Sequence, residues 1–239
     1  MIRGRMISAM TKGKWFLPDL DDPADMTEEE RAFAVALSEA TAGLVAPGVS
    51  DLLIPAAYGD HGDDALVAAL GISDRDTGKK YGIGLIDFGV HFRTGVVKGG
   101  RLHNQMYSLT GETPSLALEA SGSIRELADQ TARWFDVVLR RPIVLYVWLN
   151  DGYAYAARYE FADTSETLSQ LYNRGIAPKG QYEQVIAAGH VRGRGWLQTA
   201  GLPTPDVYVP IRGDLDAGRV PAGVVRAEKR GPIEGAWYE

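Results

Sequence analysis

The alternation of apolar and polar positions is clearest over residues 142–161. Pro142 opens an apolar run from Ile143 to Leu149, Asn150-Asp151-Gly152 follows, and Tyr153 to Phe161 then alternates. Asp-Gly between two such runs predicts a β-hairpin, because both central residues of a type I′ turn need positive φ. Period-2 spacing puts Tyr153, Tyr155, Tyr159 and Phe161 on one face, and Arg158 and Glu160 on the other. Tyr146 and Trp148 of the partner strand join the tyrosine face. An exposed aromatic row is a recognition surface, so Tyr146, Trp148, Tyr153, Tyr155 and Tyr159 are candidate interface residues. The alternative is that the row is core beneath a helix.

That helix is predicted just upstream. Ser123 and Glu126 match a capping box. Ile124, Leu127, Ala128, Trp134, Phe135, Val138 and Leu139 line one face, and Pro142 stops the helix. A second capping box, Thr27 with Glu30, opens a helix whose stripe is Phe33, Leu37, Ala40 and Leu44, ending near Gly43 and Pro47. Shorter helices are predicted over 64–70, Thr164–Asn173 and Gln181–Ala188. Strands are predicted over Val90–Val97 and Arg101–Leu109, with a turn at Lys98-Gly99-Gly100, and over 114–120 and Val207–Ile211.

Runs of strands broken by amphipathic helices predict an α+β fold with a mainly antiparallel, hairpin-built sheet. No linker cuts the chain. The expected layout is one domain: an N-terminal arm and helix over 1–46, a core over 47–189, and a Gly/Pro-rich C-terminal extension over 190–239.

Composition narrows the function. The chain has 239 residues, a net charge of −6 and no cysteine. Without cysteine there is no disulfide, thiolate nucleophile or Cys-based metal site. The acidic balance argues against a broad nucleic-acid footprint and against anionic membranes. No secretory signal is visible, so a soluble, cytoplasmic protein is expected. Arginine is favoured over lysine, a bias of GC-rich bacterial or phage genomes.

Candidate chemistry is sparse. Asp60, His61, Asp63 and Asp64 combine carboxylates with an imidazole, a donor set for a divalent cation that would activate water. The same aspartates are also suited to capping the helix expected at 64–70. His91 and His103, offset by about five residues on their strands, stand roughly 15 Å apart, too far to share a metal. Arg192 and Arg194, among glycines and next to Trp196, are candidate anion-binding residues. A structural loop with Trp196 anchored in the core is the plainer reading. No phosphate loop, nucleophile elbow, zinc helix or Cys-x-x-Cys motif occurs. The expected function is therefore non-catalytic: an adaptor, assembly component or inhibitor-type protein. It would contact another protein or self-associate, and it would need no cofactor. The alternative is a metal-assisted hydrolase or phosphotransfer enzyme built on Asp60–Asp64.

Overall fold

The computed structural model describes residues 15–18, 26–58, 65–77, 82–103, 116–193, 196–227, 230–231 and 235–237. It has the expected α+β class, with mostly antiparallel sheets and helices packed on them. Its contacts divide the chain into two compact units, Met1–Ser73 with Ile86–Arg140, and Asp74–Leu85 with Arg141–Glu239.

The first unit carries a five-stranded sheet in sequence order: β1 (Val49–Ile54), β2 (Leu66–Asp74), β3 (Ile83–Arg93), β4 (Val96–Leu102) and β5 (Leu118–Ser121). Two helices accompany it, α1 (Glu28–Ala40) and α2 (Ile124–Arg140). Both start at the capping boxes seen in the sequence. Thr27 N–H donates to Glu30 Oε2 at 2.7 Å and Glu30 N–H to Thr27 Oγ1 at 3.2 Å. Ser123 N–H donates to Glu126 Oε2 at 2.9 Å. Glu30 is buried because its second oxygen is also used, accepting from Ala56 N–H at 3.0 Å. α2 lies against α1, β4 and β5. Its ring contacts go to Phe88 of β3, with Trp134 at 5.6 Å and Phe135 at 5.7 Å between centroids. Phe135 is the fully buried anchor, whereas Trp134 is half-buried.

Two local expectations for this unit are corrected. The described part of the segment at 64–70 is not a helix, since its residues from Leu66 onward belong to strand β2, and Asp64 lies outside the described residues. A short, continuous apolar run fits a strand buried on both faces as well as a helix, and the central place of β2 between β1 and β3 selects the strand. The β3–β4 turn sits at Thr94-Gly95 rather than at 98–100. Gly95 takes φ +73°, and Gly99 and Gly100 lie inside β4. A glycine within a strand can mark close backbone approach rather than a turn. A Cβ on Gly99 would meet Val90 Cγ1 at 2.8 Å.

The second unit is a six-stranded sheet. Its path is β12 (Val225–Arg226), β11 (Val207–Arg212), β6 (Ile143–Asn150), β7 (Tyr153–Phe161) and β13 (Gly235–Ala236), and β8 (Thr167–Tyr172) also pairs with β7. The expected 142–161 hairpin is β6–β7, turning at Asp151 (φ +51°) and Gly152 (φ +81°). The segment Thr164–Asn173, expected as a helix, forms strand β8 on the free edge of β7, where pairing overrides local propensity. Helix α3 (Gln181–Ala187) follows, then a small hairpin of β9 (Val191–Arg192) and β10 (Trp196–Leu197).

Gly89 of β3 tests the packing of the first sheet. A Cβ there would stand 2.5 Å from Ala68 O and 2.8 Å from Ala69 Cα, and backbone cannot swing away. Gly89→Ala is expected to lower stability by about 1–3 kcal/mol, read as a lower urea midpoint at unchanged slope.

Candidate functional site

The second unit's site begins with a register shift in the β6–β7 hairpin. Trp148 pairs with Ala156, but Leu149 pairs with Ala154, leaving Tyr155 as the extra residue of a β-bulge. Beyond the bulge, Tyr159 faces away from Trp148. Tyr146 pairs with Arg158 and Val144 with Glu160, so both charged residues share the Tyr146–Trp148 face. Strict alternation in the sequence predicts the reverse.

Four candidate interface residues are consequently core. Tyr146, Trp148, Tyr155 and Tyr159 are at most 3% exposed, and only Tyr153, near the turn, is half-exposed. Tyr146, Trp148 and Tyr155 pack with Tyr208, Leu215 and Val224. Trp148 Nε1–H donates to Pro203 O at 2.6 Å, and Tyr155 Oη accepts from Gln181 at 2.9 Å.

The opposite face carries a closed polar cluster. Tyr159 Oη donates to Asp74 Oδ2 at 2.6 Å, and Arg230 donates to both Asp74 oxygens. Burial, then the neighbouring Asp74, pushes the Tyr159 hydroxyl far above the ordinary tyrosine range. Asp74 Oδ1 also accepts from Asp76 N–H at 3.1 Å, so this cluster ties structure together.

The Trp148 face is different. Arg158 spreads its guanidinium over the rings of Tyr146 and Trp148, at 5.5 Å from each, and its Nε stands 2.9 Å from Glu160 Oε2. Glu160 is 4% exposed. Burial raises its pKa above the ordinary 4.5, with Arg158 pulling the other way. Burial and the Glu160 charge together push Tyr146 up to about 12.

Glu160 and Tyr146 open into a cleft of about 320 Å³, walled by the β7–β8 turn at 162–165, Leu215 and Arg219. Two arginines hold that turn. Arg141 makes a bidentate pair with Asp163 at 2.9 and 3.0 Å, donates to Thr164 Oγ1 at 2.6 Å, and stacks 3.9 Å above Phe161. Arg219 donates to the carbonyls of Ala162 and Asp163 at 3.0 and 2.6 Å. Ser165 is held at φ +58°, the left-handed region that non-glycine residues seldom occupy.

The remaining candidates are scattered. Asp60, His61, Asp63, Asp64 and Arg194 lie outside the described residues. No metal-holding group of three His, Cys, Asp or Glu occurs among the described residues. His91 pairs with Lys98, so His103 stands five positions further along β4's path, and the two imidazoles remain apart. Arg192 is exposed on β9 and pairs across the hairpin with Trp196. Trp196 is not anchored in the core, because it is 73% exposed. No helix among the described residues is long and apolar enough to cross a membrane. Compared with protein-family models, curated proteins and solved structures, the chain matches none.

Two outcomes follow from the opposed charge clusters. Arg230→Met strands the buried Asp74 carboxylate and is expected to cost roughly 3–5 kcal/mol in chemical denaturation. Glu160 has its pKa raised on folding, so between 4.5 and its higher folded value the native state holds more protons than the unfolded chain. Its contribution is fully present below 4.5 and is lost as pH rises through that window. The stability of wild type relative to Glu160→Gln is therefore expected to fall as pH rises, read by urea unfolding at a series of pH values.

Proposed function

We propose that this protein is a non-catalytic binding protein that meets a protein partner through its β9–β10 hairpin. The observation that carries the reading is Trp196, 73% exposed and directly across from exposed Arg192. Tryptophan and arginine dominate the energetics of protein interfaces, because each offers a large contact area with a polar handle. The hairpin is firmly mounted. Gln198 N–H donates to His190 O at 2.9 Å across its base, and Leu197 is buried beneath it. Thr199 anchors the following segment by donating from its N–H to Gln170 Oε1 at 2.9 Å. A rigid mount lowers the entropy lost on docking. The net charge of −6 favours a protein partner over nucleic acid for this arginine–indole pair.

The test compares wild type with Trp196→Ala, both purified as the full chain from the native host and measured by light scattering. Wild type is expected to elute as a stoichiometric complex or a self-associated species. Trp196→Ala is expected to weaken that complex by about tenfold or more. Its melting temperature should stay at the wild-type value, because exposed side chains contribute little to folding. A strictly monomeric wild type with nothing bound, or a complex that Trp196→Ala leaves intact, would overturn the reading.

A further inference from the structure

Helix α1 leaves an apolar, acid-rimmed groove in solvent. Glu28, Ala32, Val35 and Glu39 recur at intervals of three or four residues and share one helical face. With Arg31 and Ala36 they line an open groove of about 430 Å³. Its floor is Ala32, Val35 and Ala36, and Val35 is 44% exposed. The small alanines let a bulky group approach the helix closely. Glu28 and Glu39 stand at the two ends, roughly 16 Å apart along the axis at 1.5 Å per residue. The helix carries four glutamates against one arginine, and that Arg31 donates to Met26 O at 3.4 Å. Glu39 already pairs with Arg125 at 2.9 Å, so Glu28 is the carboxylate at the more open end. The floor is fixed from beneath, where Phe33 stacks on Phe92 at 4.2 Å and Leu37 is buried.

The β9–β10 hairpin carries the complementary features. From Gln184 to Pro205 the sequence holds two arginines and no acidic residue. Arg192 and Trp196 are cross-strand partners, so an exposed guanidinium and an exposed indole stand side by side. An indole gains most on an apolar floor, and a guanidinium gains most beside a carboxylate. The α1 groove offers both within one helical face. Copies of a chain with net charge −6 repel one another at long range. A basic hairpin on an acidic rim offsets that repulsion locally and fixes the register of contact.

We propose that the partner of the β9–β10 hairpin is a second copy of this chain, with Trp196 of one copy seated over Val35 in the α1 groove of the next and Arg192 at its Glu28 end. This rests on the reading of Trp196 as a docking residue and names the surface it meets. The contact is heterologous, so each copy keeps one hairpin and one groove for further neighbours. A contact with one main anchor is small, and association is expected at roughly tens to hundreds of micromolar.

The test follows the full chain, made in a heterologous host, by sedimentation velocity across that concentration range. Wild type is expected to grow in mass with concentration beyond two copies. Trp196→Ala removes the hairpin's anchor and Val35→Arg fills the groove with a cation, and each is expected to weaken association by about tenfold or more. Both positions are exposed, so melting temperatures should match wild type. Should Val35→Arg melt lower, Ala32→Arg, at another exposed groove position, replaces it. Mixing the two variants is the decisive measurement. The Val35→Arg copy keeps its hairpin and the Trp196→Ala copy keeps its groove, so the mixture is expected to form a one-to-one dimer and stop there. A monomeric wild type, association undiminished by the groove variant, or no dimer on mixing would overturn the proposal. A complex from the native host that is lost with Trp196→Ala but kept with Val35→Arg overturns the pairing and leaves Trp196 as a docking residue. A complex kept with both variants overturns the two together.

Discussion

Both faces of the β6–β7 ribbon are dry, and the second unit is organised around that constraint. Ile143, Leu145, Val147, Ala157, Tyr159 and Phe161 are buried on one side, and Val144, Tyr146, Trp148 and Ala156 on the other. A ribbon buried on both faces needs cover on both, and it must dispose of any charge it carries. Leu202, Leu215, Val220 and Val224, drawn from the Gly/Pro-rich C-terminal region, pack on the Trp148 face. An apolar surplus on this ribbon therefore gives no reason to invoke a partner. Trp196, by contrast, is left in solvent.

The bulge at Tyr155 decides which charges go where. It sends the Tyr159 hydroxyl to Asp74 and Arg230, and it brings Arg158 over the Tyr146 and Trp148 rings with Glu160 on the same face. The two buried carboxylates then differ in kind. Asp74 is closed off by a phenol and a guanidinium, an arrangement that resists change because removing either partner strands a charge. Glu160 is paired with Arg158 and lines a cleft whose turn is braced by Arg141 and Arg219.

The tryptophans make the same distinction in apolar terms. Trp148 is buried and its N–H is satisfied by Pro203 O, whereas Trp196 stands on a two-residue strand with solvent around most of its surface. A large side chain left in water on a braced hairpin stabilises the fold little, and its contact area remains available to another surface.

Local signals were legible in the linear chain. The capping boxes at Thr27 and Ser123, the Asp151-Gly152 hairpin and the stripe of α2 each depend on residues within a turn or two of one another, and each formed as the sequence predicts. Two elements without such a local marker were misread, although the strand over Val207–Ile211 and the helix over Gln181–Ala188 formed near their expected bounds. Residues from Leu66 onward and from Thr167 to Tyr172 became strands because neighbouring strands offered hydrogen bonds, a choice made over long sequence separation. The β-bulge, the exposure of Trp196 and the cleft at Glu160 were likewise invisible, since perfect alternation runs through the bulge and burial depends on what packs from afar. Sequence alone determined the turn at Asp151-Gly152 and the starts of α1 and α2. Tertiary structure decided which face each aromatic and charged side chain meets, because a one-residue slip in register turns a strand over and only packing against distant segments selects the register.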